Sequence, residues 1–270
     1  MQDAMRKLNS WELPGNLRTL RAYVTCNALQ GGCMTPLSRN ARIAGLLYIF
    51  ASLVGIVRLM YIPNKLFVDG NAAATAGNLV AHESLFRWGL VSQLAAAVLW
   101  LFVPLALYRL LEAVDRKLAA LMVVLGSLMI VPLFFVNVLN DVAALLFARG
   151  TNFLRAFDGP QRDAFASFFL NLHYHLDLAN MLFWGLWLVP YGLLVYRSGF
   201  LPRVLGAWLV LACFGWLALS VTGFLFPAHT EQVYKITQPL VLGELVTMLW
   251  LVVMGAKEKR VAAAGITSHG

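Results

Sequence analysis

Two groups of residues carry the chemistry this chain could perform. The first is the run HYHLD (173–177). His173 and Asp177 are four residues apart, so on a helix they share a face, as two ligands of one metal ion must. His175 is two residues from His173 and points elsewhere. Asn137, Asn140 and Asp141 make a matching polar face on the preceding apolar stretch, and His82 or Glu83 could complete the set. Read as chemistry, His173, Asp177, Asp141 and His82 are a divalent metal site of a membrane enzyme. Read as structure, they are interfacial groups whose hydrogen bonds hold two helices together. The second group centres on Glu244, eleven residues before Gly255 and hence about 16 Å along a helix. That depth is close to a bilayer midplane, where a carboxylate costs about 2.5–3.5 kcal/mol on insertion scales. It requires a partner, a proton or a cavity. Arg58, sixteen residues beyond Arg42, has a side chain long enough to reach towards it, with Ser92, Gln93 and Thr247 completing a polar network. The functional reading is a ligand or proton site; the structural one is a buried ion pair that fixes helix order.

The elements that must position these groups are membrane helices. The chain has 270 residues, 60% hydrophobic and 13% charged, against roughly 45–50% and about 25% for soluble domains. Its mean hydropathy is +0.72. Six apolar stretches are long enough to span, near Ala41–Ile62, Trp88–Tyr108, Leu118–Asn140, Leu176–Tyr196, Val204–Phe226 and Thr237–Met254, with short loops between them. The fourth is the most informative. His173, Asp177, Asn180, Trp184, Trp187 and Tyr191 recur at steps of four and three, one polar and aromatic stripe on an otherwise apolar helix. Such a stripe faces other helices. The third and fourth apolar patterns overrun a bilayer, so these two helices are expected to project together beyond the outer face. Pro132 and Pro190 are expected to kink them. Gly45, Gly55, Gly206, Gly215 and Gly243 are suited to close helix approach.

Fourteen of the 21 Lys and Arg residues fall on the side of the two termini and seven on the other, which predicts both termini in the cytosol. The net charge of +8 is therefore an orientation signal, and basic residues are not interleaved with aromatics as nucleic-acid binding would need. Cys26, Cys33 and Cys213 have neither metal nor disulfide spacing. No span contains a lysine, which excludes a retinal Schiff base. No late His-x-x-x-His is present, which excludes the ceramidase-like lipid amidases. Residues 1–40 are polar and basic and lack the apolar core of a signal peptide, so they read as a cytosolic tail, with Met34 an alternative start. Residues 41–256 form the transmembrane domain and 257–270 a second cytosolic tail.

The segments ARIAGLLYIF (41–50), ESLFRWG (83–89), YRSGFLPRVLG (196–206) and GELVTMLWLVVMG (243–255), in this order, resemble an uncharacterised bacterial membrane family, domain of unknown function 4386. The resemblance covers about residues 38–256. It implies a six- or seven-helix integral membrane protein without an established activity, transfers no catalytic residue, and favours the start at Met34. HYHLD lies outside the family pattern.

The expectation is thus an all-α integral membrane protein, a bundle of six transmembrane helices in a bacterial inner membrane. Its partners are the lipid bilayer and a small or lipid-like ligand bound or moved near Glu244 and Arg58. The alternatives are a metal-dependent enzyme at the outer leaflet and a structural or partner-binding subunit.

Overall fold

The computed structural model describes residues 35–256. The start at Met34, most of the first tail and all of the second lie outside the described residues. Among the described residues six helices are long and apolar enough to cross a membrane: α1 (Pro36–Leu66), α3 (Glu83–Leu111), α4 (Arg116–Arg149), α5 (Gly159–Ser198), α6 (Arg203–Leu225) and α7 (Pro227–Val253). A further helix, α2 (Ala72–Ala81), stands where a short loop was expected. Gly70, at φ +70°, turns the chain ahead of it, and the Asn71 side chain caps it, its Oδ1 accepting from the Ala74 N–H. Ten residues are too few to span, so hydropathy alone read this segment as connection.

At 34 and 40 residues, α4 and α5 run to about 51 Å and about 60 Å, well past the roughly 30 Å apolar core of a bilayer. Their extension is held by local chemistry. Gly150 ends α4 at φ +61°, a left-handed conformation that residues with a side chain rarely adopt, and the Arg162 side chain lies against it. Asp158 and Gln161 then start α5 with a reciprocal capping box. Phe147 packs against Phe157, Phe165 and Phe169 across the turn, with ring centroids 5.0–5.8 Å apart. Below this turn Ile62, Leu66, Leu79, Phe86, Leu145 and Leu170 form a second core, where α2 and the ends of α1 and α3 pack on the α4–α5 pair. We call this the hairpin end of the bundle, and the end carrying residues 112–115 and 199–202 the tail end.

Prolines explain where the helices depart from regular geometry. A proline removes the hydrogen bond to the carbonyl four residues before it, and the ladder re-forms one residue wider or breaks. A π-turn over Val57–Tyr61 precedes Pro63, another over Val124–Leu128 precedes Pro132, and the α-ladder of α5 is interrupted at Trp187 ahead of Pro190. Where kinks were expected at Pro132 and Pro190 the helices carry a π-turn and a break in the ladder; the π-turn ahead of Pro63 carries Arg58.

Glycines set the closest approach. A Cβ on Gly192 would lie 2.6 Å from the Gly206 carbonyl oxygen, so α5 and α6 meet backbone to backbone at that pair. A Cβ on Gly45 would lie 2.8 Å from Leu251 Cβ, which brings α1 against α7 near the tail end. Gly55, in contrast, has only ordinary contact with Ala96 at 3.6 Å; it borders a cavity.

Candidate functional site

The polar stripe of α5 faces inward: His173, Asp177, Asn180, Trp187 and Tyr191 are buried and Trp184 is half-buried. At its hairpin end the stripe meets Arg58, only 2% exposed, and Asp141, fully buried. Arg58 donates from Nε to Asp141 Oδ2 at 2.6 Å and from Nη2 to Oδ1 at 2.5 Å, a side-on bidentate pair. His173 Nδ1 faces Asp141 Oδ1 at 2.9 Å and Arg58 Nη2 at 3.1 Å; its Nε2 faces Asp177 Oδ2 at 3.3 Å. Asn137 Nδ2 donates to Asp177 Oδ1 at 2.7 Å, and Asn140 Nδ2 to Asn137 Oδ1 at 3.4 Å. The guanidinium also lies 5.6 Å and 5.9 Å from the Phe67 and Phe86 ring centroids. With a proton on each ring nitrogen, the imidazole donates to both carboxylates and the four charged groups sum to zero. With one proton fewer the set carries one negative charge. The network therefore ties α1, α4 and α5 together and can hold one exchangeable proton.

Two expectations are corrected by this geometry. Arg58 does not reach towards Glu244. Glu244 sits at the level of Tyr48, whose hydroxyl donates to its Oε1, and Tyr48 is ten residues, or about 15 Å, along α1 from Arg58. The metal arrangement gives way too. His173, Asp177 and Asp141 do come together, but Arg58 lies among them and the imidazole nitrogens face carboxylates. His82 is exposed after α2, and neighbouring Glu83 pairs with Arg87 and Arg149. Among the described residues no group of three or more His, Cys, Asp or Glu is placed to hold a metal ion.

Glu244, 9% exposed, has two neutral donors: Tyr48 Oη, and Trp216 Nε1 at 3.3 Å from Oε2. It borders a cavity of about 340 Å³ whose lining comes from all six spanning helices, among them Gly55, Ala96, Phe134, Trp184, Trp216 and Glu244. Gln93 and Asp177 line it as well. Arg58 and Thr247 do not; the Thr247 hydroxyl donates to the Gly243 carbonyl at 2.7 Å within α7. Ile56 and Leu59 of α1 and Leu242 and Leu245 of α7 line the cavity and are also exposed, so it opens between α1 and α7. Four tryptophans also line it, Trp100, Trp184, Trp187 and Trp216. Trp100 and Trp187 stand 5.9 Å apart, each edge-on to Tyr48, and Trp184 meets Trp216 at 5.3 Å.

Sequence reasoning did not find Tyr48, Trp100 or Trp216. Each stands alone in an apolar run, where an aromatic residue reads as packing or as a belt residue, and no spacing ties it to Glu244. Three buried polar groups of the stripe lack hydrogen-bond partners among the described residues: the Asn180 amide, Trp187 Nε1 and Tyr191 Oη.

A six-span helical bundle with a polar, cavity-lined interior is a multi-pass integral membrane protein. The family described as Domain of unknown function (DUF4386) matches residues 43–255, and the chain belongs to that family. Comparison with curated proteins and with solved structures found no match.

Proposed function

We propose that this protein binds, or moves across its membrane, a small or lipid-like ligand held in the cavity beside Glu244. The observation that carries the reading is the cavity, drawn from six helices and open between α1 and α7, where a ligand could enter from the bilayer. Glu244 and Gln93 are polar contacts, Thr247 bonds the Gly243 carbonyl in the helix turn behind Glu244, and Arg58 acts from the adjoining network by holding α4 and α5 in place. A purely structural subunit would have no need of such a space at the polar centre of its core. The membrane is proposed to be a bacterial inner membrane, as the family resemblance implies, with both termini cytosolic on the distribution of Lys and Arg.

The test is to purify the full chain in mild detergent and quantify extracted lipids and small molecules by mass spectrometry, beside Ala96→Phe, which fills the cavity. A species present near one per protein in the wild type and lost in Ala96→Phe is the expected result; equal recovery from both proteins refutes the reading. Reporter fusions after Arg197 should place that loop in the cytosol, and an external position would invert the topology.

A further inference from the structure

We infer that the ligand of this cavity is an organic cation, an amine or quaternary ammonium carried on an apolar body. The inference rests on the reading of the cavity as a ligand site. The first ground is charge. Glu244 and Asp177 line the space, and no Lys, Arg or His among the described residues does. Asp177 is already engaged by His173 and Asn137. Glu244 is not so compensated: both its hydrogen-bond donors are neutral, and it forms no ion pair with a basic side chain among the described residues. A carboxylate at this depth needs a proton or a countercharge, and a ligand's ammonium supplies the second.

The second ground is the wall. Trp100, Trp184, Trp187 and Trp216 all border the cavity, with Phe134 and Tyr234. Indole is the aromatic ring that attracts cations best, and the attraction grows when water is excluded. Together, rings and carboxylates suit a diffuse positive charge. An anion would meet two acids and no base. An uncharged lipid would fill the apolar volume and leave Glu244 without its counterpart. The opening between α1 and α7 gives the apolar body of the ligand an exit to the hydrocarbon, with its charged head beside Glu244.

The test uses three probes of similar shape on the full chain in detergent, read by quenching of tryptophan emission: phenyltrimethylammonium, its uncharged isostere tert-butylbenzene, and benzenesulfonate. The cation should bind at least about tenfold more tightly than the isostere, and the sulfonate should not bind. In Glu244→Gln, the cation should weaken towards the level of the isostere, keeping only the preference the tryptophans supply, while the isostere is unchanged. In Trp216→Phe, the cation should weaken more than the isostere. The wild-type comparison holds by itself if a variant does not fold. Equal binding of cation and isostere, or binding of the sulfonate, overturns the cation inference and leaves the cavity as a ligand site. Binding of none of the three overturns both.

Discussion

Arg58 and Asp141 meet side-on in the bundle interior, with two parallel N–H···O bonds of 2.6 Å and 2.5 Å and neither side chain reaching solvent. They join α1 to α4 across 83 residues of chain. Removing one partner of a buried pair leaves an uncompensated charge and costs about 3–5 kcal/mol, whereas replacing both by apolar residues is often close to neutral. Arg58→Met should therefore destabilise the detergent-purified protein strongly, and Arg58→Met with Asp141→Leu should recover much of the loss. Reversible unfolding in denaturing detergent measures both. A double variant as unstable as the single one would mean that His173 and Asp177 depend on the pair for their own partners.

Glu244 accepts from Tyr48 and Trp216, so its loss orphans two buried donors. Glu244→Ala should cost about 1–3 kcal/mol through those donors, whereas Glu244→Gln keeps an acceptor at the same place and should cost less. The same unfolding assay separates them. If Glu244→Ala leaves stability and ligand recovery unchanged, the midplane site has no role.

Tyr191 stacks on Trp187 at 5.4 Å, yet its hydroxyl is buried without a hydrogen-bond partner among the described residues. Tyr191→Phe keeps the stacking ring and removes the unsatisfied group. It should leave stability unchanged or raise it by up to about 1 kcal/mol. A clear loss of stability would reveal a partner for that hydroxyl.

Because Arg58 stands among His173, Asp141 and Asp177, these side chains are expected to act as an ion-paired network. Elemental analysis of the purified protein, wild type beside His173→Ala, should give the same low transition-metal content in both. A near-stoichiometric metal that disappears in the variant would restore the metalloenzyme reading.

At the α5–α6 crossing the obstacle to any side chain is backbone. Gly206→Ala would press a methyl group on the Gly192 carbonyl and the Tyr196 backbone, and should cost about 1–3 kcal/mol. Gly77→Ala in α2 meets open space and should instead gain about 0.5–1 kcal/mol from helix propensity. Thermal unfolding of the two variants side by side measures the difference, and equal stability would refute the backbone-to-backbone crossing.

The sequence alone determined the class, the six spans, the overrun of α4 and α5, and the inward face of α5. Each follows from a local rule: about twenty apolar residues span a bilayer, and a stripe at 3.6-residue spacing occupies one face of one helix. It also marked most of the polar residues that matter, including Arg58, Asp141, His173, Asp177 and Glu244. Only the tertiary structure decided who meets whom. Periodicity tells which way a residue points on its own helix, but partner choice depends on the rotation, depth and neighbours of the other helices. Arg58 meets Asp141 on α4, and not Glu244, because its π-turn and its height on α1 place it there. Glu244 found Tyr48 and Trp216, two residues with no local mark. The cavity had no sequence signal of its own, because it is the space that six separately legible helices leave between them.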